Sequence, residues 1–225
     1  MVYFWNMKKL NRSFTLLVVL FVLWQTNGCF GQPHDQATID NKVKAFLDKH
    51  SGQWYDMNVP ASDGKLLHDL IIEHNYTQAL EIGTSTGHSG IWMAWALSKT
   101  GGKLITIELN ETRYNEAMKN FKAAGVDHLI DARLANAHDL VPELEGPFDF
   151  VFSDADKSWY KQYFLDVDPK LKLNGCYTSH NVSNRPGARW NREYLDFLLG
   201  LENYETTVNN QGGGVAISFK KSESK

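Results

Sequence analysis

An α/β fold is predicted by three features of this 225-residue chain. Short apolar runs alternate with amphipathic segments over residues 79–201. A glycine-containing turn, Gly83 to Gly87, joins the first apolar run to a helix-like stretch. Two final apolar runs flank the turn Asn209-Asn210-Gln211-Gly212-Gly213. Alternating units of this kind build a mostly parallel sheet covered by helices on both faces.

The elements follow in order. Residues 36–53 carry Ile39, Val43, Phe46 and Leu47 near helical spacing, which predicts a first helix. Residues 62–74 place Leu66, Leu67, Leu70 and Ile71 on one face of a second. A strand over 79–83 and a helix over 88–98 come next, then a strand over 103–108. The helix over 111–124 has Tyr114, Ala117, Met118 and Phe121 as its apolar stripe. A strand over 128–134 leads to a short helix near 139–144. Strand 148–154, helix 159–167, strand 175–180 and helix 189–201 continue the alternation. Runs 204–208 and 214–219 read as an antiparallel pair. The sheet expected is seven-stranded, mostly parallel, with one antiparallel strand. Ligands in such sheets bind at the carboxyl ends of the strands.

Composition narrows the class. At 43% hydrophobic and 22% charged, the chain fits one globular domain with a substantial core. Net charge is -3. Residues 1–31 hold Lys8, Lys9 and Arg12 and no acid, leaving 20 basic against 26 acidic residues beyond them. A basic footprint for nucleic acid is absent. Cys29 and Cys176 form neither a disulfide framework nor a zinc spacing, and Cys176, in an apolar run, reads as a buried thiol. Residues 7–12 form a short basic region, and residues 14–24 an apolar run of 11. Small and polar residues follow, to Gly28-Cys29-Phe30-Gly31-Gln32. That pattern predicts a secretory signal over 1–31, too short for a membrane span. Export with cleavage before Gln32 is expected. A lipid on Cys29, an uncleaved anchor, or a true start at Met7 are the alternatives.

The chemistry begins at Glu81-Ile82-Gly83-Thr84-Ser85-Thr86-Gly87-His88-Ser89, which reads E-x-G-x-x-x-G-x-S. Glycines let the backbone pass close to a ligand, and amides at the following helix start face it. The spacing matches neither the dinucleotide G-x-G-x-x-G nor the phosphate loop. Glu108 ends the second strand, 21 residues after Gly87, where a carboxylate can accept both hydroxyls of a ribose.

This spacing resembles motif I of class I S-adenosylmethionine-dependent methyltransferases. From Met57 to Val182 the chain resembles the cation-dependent O-methyltransferases that act on catechols and caffeoyl-CoA. The resemblance rests on Met57-Asn58-Val59 with Asp63-Gly64-Lys65, on motif I, and on Ile107-Glu108-Leu109-Asn110. It rests also on Asn136-Ala137-His138-Asp139-Leu140 and on Phe152-Ser153-Asp154-Ala155-Asp156-Lys157-Ser158-Trp159-Tyr160. It implies a Rossmann-like methyltransferase domain over 32–225, S-adenosylmethionine as cofactor, and a homodimer. Met57, Val59, Glu81, Gly83, Gly87, Ser89, Glu108, Ala137, His138 and Asp154 are the implied cofactor site. Within it, the Val59 backbone and the Ser89 hydroxyl hold the methionine carboxylate. The backbone near Gly83 takes the amino group, Glu108 the ribose, and Ala137 with His138 the adenine.

Methyl transfer needs an activated nucleophile, because a phenol has a pKa near 10. The resemblance implies that a divalent cation bound by Asp154 and Asn181 lowers that pKa, with Lys157 taking the proton. The family has Asp-Asn where this chain has His180-Asn181. Three readings of His180 follow. It joins Asp154 and Asn181 around a metal that tolerates imidazole, it replaces the metal as general base, or it is structural. Trp159, Tyr160, Arg189 and Trp190 are candidates to line an aromatic acceptor pocket, and the arginines of 183–192 could meet an anionic acceptor. The function expected is O-methylation of a small phenolic or catecholic molecule. A non-oxygen acceptor is one alternative. A non-catalytic cofactor-binding protein is the other, since the metal set is altered and export separates the chain from cytosolic cofactor synthesis.

Overall fold

The computed structural model describes residues 36–186 and 191–223. Seven strands form one sheet: β1 (Gln78–Ile82), β2 (Lys103–Glu108), β3 (Ile130–Leu134), β4 (Phe148–Ser153), β5 (Leu171–His180), β6 (Tyr204–Asn209) and β7 (Val215–Lys220). Their order is β3-β2-β1-β4-β5-β7-β6. Strands β1 to β5 pair in parallel. Strand β7 is antiparallel to both β5 and β6, so it is the one reversed strand.

Seven helices cover the sheet: α1 (Gln36–Lys49), α2 (Ala61–Glu73), α3 (His88–Thr100), α4 (Glu111–Ala124), α5 (Ala137–Glu143), α6 (Tyr160–Val167) and α7 (Arg192–Leu199). Alternate strand residues point to opposite faces, and the core divides accordingly. Leu80, Ile82, Val151 and Tyr177 face Val141, Tyr163, Phe164 and Leu198 of α5, α6 and α7. Ala79, Phe150, Phe152 and Cys176 face Leu67 and Ile71 of α2 and Met93 and Leu97 of α3. Helix α1 packs Ile39 and Val43 with Ile91 and Phe121. The thiol of Cys176 is fully buried, and burial pushes its pKa up.

The chain runs outward from β1 through β2 to β3, then returns to place β4 on the other side of β1. That reversal leaves a crevice at the carboxyl ends of β1 and β4, and the functional residues converge there. Three boundaries differ from the sequence reading. The first helix stops at Lys49, and Gly52 turns the chain with φ 71°. Strand β5 starts at Leu171 rather than 175, because Lys172, Leu173 and Asn174 are exposed and carry no alternation to read. Residues 127–129 form a 3-10 turn before β3. Arg189 and Trp190, and the 1–31 signal, lie outside the described residues. The described residues belong to one compact unit. None of their helices is long and apolar enough to cross a membrane.

Candidate active site

A cleft of about 630 Å³ opens over the carboxyl ends of β1, β2, β4 and β5. Met57, Val59, Gly83, Ser89, Glu108, Ala137, His138, Asp154, Lys157, His180 and Asn181 all line it, so residues spread over more than 120 positions meet in one place. Its volume suits a ligand of drug or nucleoside size.

Glu108 is fixed at the end of β2. Its Oε2 accepts the Ser85 amide at 2.8 Å and its Oε1 the Asn110 amide at 2.9 Å. Each carboxylate oxygen has two acceptor positions, so each keeps one for a diol. Gly83 has φ 103°, and a Cβ there would stand 2.8 Å from the Asp154 carbonyl oxygen. Only glycine lets the β1 turn pass that close to the end of β4. A strap crosses the turn from above. Asp56 makes a bidentate pair with Arg113, 2.6 and 2.9 Å, of the strong fork type. Asn58 donates to Thr86 Oγ1 at 2.7 Å. Met57 and Val59 reach the cleft on this strap. At the far wall, His138 stacks on Trp159 with centroids 4.2 Å apart and stands 3.4 Å from Asp156, which also caps the turn before α6.

Two expected cofactor contacts are arranged differently. Glu81 is fully buried beneath the turn and does not line the cleft. Burial raises its pKa to about 8, against the hydrogen bonds it accepts from Ser89 and Thr106. The Ser89 hydroxyl is thereby committed to Glu81 Oε1, at 2.5 Å, and not to a ligand. Gly87 also lies outside the lining; it starts α3 against the Phe121 ring.

The other end of the cleft holds the charged residues. Lys157 Nζ pairs with Asp154 Oδ1 and donates to the Tyr160 hydroxyl at 2.7 Å. Tyr160 is completely buried and reaches the His180 carbonyl at 3.2 Å; burial and Asp154 keep it a phenol. It therefore anchors Lys157 rather than lining an acceptor pocket. His180 sits between two carboxylates. Its Nε2–H donates to Asp63 Oδ2 at 2.9 Å. Its Nδ1 lies 3.1 Å from Asp154 Oδ2, off the line of the N–H, so Nδ1 has no aligned hydrogen-bond acceptor. Burial alone would lower the pKa of this ring, but Asp154 and Asp63 outweigh it and raise it to about 9.

A divalent cation does not fit these residues. Asp154 spends one oxygen on Lys157 and faces His180 with the other. The imidazole nitrogens both confront carboxylate oxygens, so the ring carries the positive charge itself. Among the described residues no group of three or more His, Cys, Asp or Glu is arranged to hold a metal ion. The implied set Asp154, His180 and Asn181 shares one end of the cleft without forming a coordination shell. The general-base reading of His180 fails for the same reason, because a doubly protonated ring has no lone pair to offer.

Asp63 was not expected at the site. It is 1% exposed and also accepts the Gly213 amide at 2.7 Å. A Cβ on Gly212 would strike Asp63, and one on Gly213 would strike His180 Nε2. The run Gly212-Gly213-Gly214 was the available signal, since a simple hairpin turn does not need three glycines.

The fold and cleft define a group-transfer domain of the doubly wound α/β type with a ribose-reading carboxylate. The family model for O-methyltransferases matches residues 33–182, and the chain belongs to that family. A catechol O-methyltransferase of Niastella koreensis is 40% identical over 112 residues, 48% of this chain and 50% of the relative. A caffeoyl-CoA O-methyltransferase of Medicago sativa is 31% identical over 163 residues, 66% of each. The chain thus spans half of the first relative and about two thirds of the second. Among solved structures, an O-methyltransferase of Bacillus cereus in complex with SAH superposes with TM-score 0.68 at 25% identity, covering 81% of this chain and 91% of that one. TomG of Streptomyces achromogenes, an O-methyltransferase of tomaymycin synthesis in complex with SAM, does so at TM-score 0.65 and 28% identity, with the same coverage.

Proposed function

We propose that this chain is an S-adenosylmethionine-dependent O-methyltransferase acting on a small phenolic or catecholic acceptor. The observation that carries the reading is one cleft with Glu108 fixed at one end and the Asp154–Lys157–His180 group at the other. Glu108, Ala137, His138 and the strap residue Val59 would hold the cofactor, which supplies an electrophilic methyl group on a sulfonium.

The chain's residues then have three tasks. Orientation comes first: holding the acceptor oxygen in line with the methyl group is worth about 7 kcal/mol or more. Lys157 handles the proton. Two of its three N–H positions are held by Asp154 and Tyr160, so in the amine form its lone pair is left for the cleft. The phenolic proton passes to Nζ, and the oxygen lone pair forms the new O–C bond. The S–C bonding pair stays on sulfur, leaving a neutral thioether. Finally, the positive charge of His180 stabilises the phenolate that forms between.

Calorimetry with S-adenosylhomocysteine, followed by mass spectrometry of a catechol and hydroxycinnamate panel, tests the reading. Saturable binding and an O-methylated product are expected. Glu108→Ala should weaken binding about 10- to 100-fold, the scale of hydrogen bonds to a charged group. No binding by the wild-type chain overturns the reading. Binding without turnover across the panel favours a non-catalytic binding protein, and an N-methylated product from an amine panel favours the other acceptor class.

Two further expectations stand as proposals. The basic and apolar pattern of residues 1–31 supports export, and amino-terminal sequencing of the exported protein should begin at Gln32. The family resemblance supports a homodimer, which light scattering during gel filtration reads directly.

A further inference from the structure

We propose that this chain dispenses with a divalent cation, the imidazolium of His180 taking that cation's place at Asp154 and Asp63 acting as the residue that positions it. The inference rests on the methyl-transfer reading for its chemistry, while its geometry stands independently.

The geometry has three parts. The two ring nitrogens of His180 face two carboxylates from opposite sides: Asp63 of α2 at 2.9 Å and Asp154, beyond β4, at 3.1 Å. An unprotonated Nδ1 at that distance would set a lone pair against a carboxylate oxygen. A proton on each nitrogen removes the conflict and makes the ring a cation with two anionic neighbours. Second, Nδ1–H has no aligned acceptor while His180 lines the cleft. That donor is therefore available to an acceptor oxygen, which is the charge-stabilising task a metal ion performs elsewhere. Third, the arrangement is built. The Asp63 carboxylate is buried and doubly held, by His180 and by the Gly213 amide, and glycines at 212 and 213 are the residues that leave room for it.

The charges balance around the ring. Asp63 faces it from α2; Asp154 and Lys157 face it from the segment after β4. The neutral Tyr160 hydroxyl touches its carbonyl from the start of α6. Phe152 of β4 packs beside the ring at 6.0 Å, and Val215 of β7 pairs with it across the sheet; neither brings charge. Two anions meet two cations. A further doubly charged ion would leave the group with an excess of positive charge inside a buried pocket, which is costly.

Asp63 touches no reacting atom and acts only through His180, so its test must read the ring. Long-range nitrogen-15 NMR of the S-adenosylhomocysteine-loaded protein at neutral pH should show both His180 nitrogens protonated in the wild type. Asp63→Asn should leave only one protonated, an effect that loss of packing alone would not give. In parallel, manganese titration followed by electron paramagnetic resonance should show no saturable binding to the loaded wild type. His180→Asp, which restores a second carboxylate beside Asp154 and Asn181, should gain it. Stoichiometric manganese or zinc binding by the wild type, or a singly protonated ring, overturns the proposal. So does a His180→Asp variant that folds and still takes up no manganese.

Neither readout depends on turnover. Should the chain transfer no methyl group to any acceptor, the functional reading falls and this one is still decided. Where turnover is found, excess chelator should leave it unchanged within twofold.

Discussion

Glu81 and His180 are two buried titratable side chains whose pKa values both lie above their ordinary positions, for opposite reasons. Glu81 is raised to about 8 by burial, a cost carried by its ionised form. His180 is raised to about 9 because Asp154 and Asp63 outweigh burial. The linkage has the same sign in both cases. A group that binds its proton more tightly when folded contributes stability that is complete below the unfolded pKa and is lost as pH rises through the folded one. For Glu81 the window runs from about 4.5 to about 8, and for His180 from about 6.5 to about 9. Thermal melts of the wild type should therefore fall steadily across that range. Glu81→Gln should flatten the lower part and raise the midpoint at pH 8 by several degrees, given about 2–4 °C per kcal/mol for a domain of this size. His180→Gln should flatten the upper part. Wild-type and variant curves that run parallel from pH 5 to 9 would refute both assignments. Several site residues could be read from local sequence: Glu108 from the strand end, Lys157 and Asp154 from their run. The partners of Ser89 and His180 could not. Each is chosen by a carboxylate whose position is set by tertiary packing, and in the case of Asp63 the partner is 117 residues away.

At the scale of elements, the hairpin of β6 and β7 does more than close the sheet. Strand β7 pairs with β5 antiparallel, with Val215 opposite His180, so the hairpin tip is carried to the acceptor end of the cleft. The sequence predicted this antiparallel pair and its turn, and it predicted β1, β2 and β4 to within a residue, because their apolar runs are short and cleanly bounded. It misplaced the start of β5, where exposed residues carry no pattern, and it left the turn glycines with no task beyond turning. Gly213→Ala tests that task. The new methyl group would meet His180 Nε2, so either the ring or the turn must shift. Overpacking of this kind costs about 1–3 kcal/mol. A lower melting midpoint is expected, with a fall in turnover and unchanged affinity for S-adenosylhomocysteine, since the strands that carry Glu108 and Gly83 do not touch the hairpin. Unchanged stability and turnover together would show that the tip is free to move.

The whole molecule divides its work at the sheet reversal. On one side, β1 and β2 with the loop after β3 supply the ribose carboxylate, the glycine turn and the Ala137–His138 wall. On the other, β4, β5 and the hairpin supply Asp154, Lys157 and His180. Hydrogen exchange with and without S-adenosylhomocysteine should map that division. Slowed exchange is expected at residues 56–59, 83–89, 108–110 and 136–138, with 204–220 unchanged and the amides of β1 and β4 the slowest throughout. Protection spread evenly over both halves would mean that cofactor and acceptor regions respond as one body. The division was legible early, because alternating units and the glycine turn place the reversal without knowledge of any side-chain partner. The glycine triplet of the hairpin has one more consequence, for inheritance rather than mechanism. Asp63, His180, Gly212 and Gly213 lie far apart in the chain yet share one small volume, so none can change alone without cost to the others. Descendants and cousins of this protein should keep or lose the four together, and lineages with aspartate in the place of His180 should be free to carry side chains at both glycine positions.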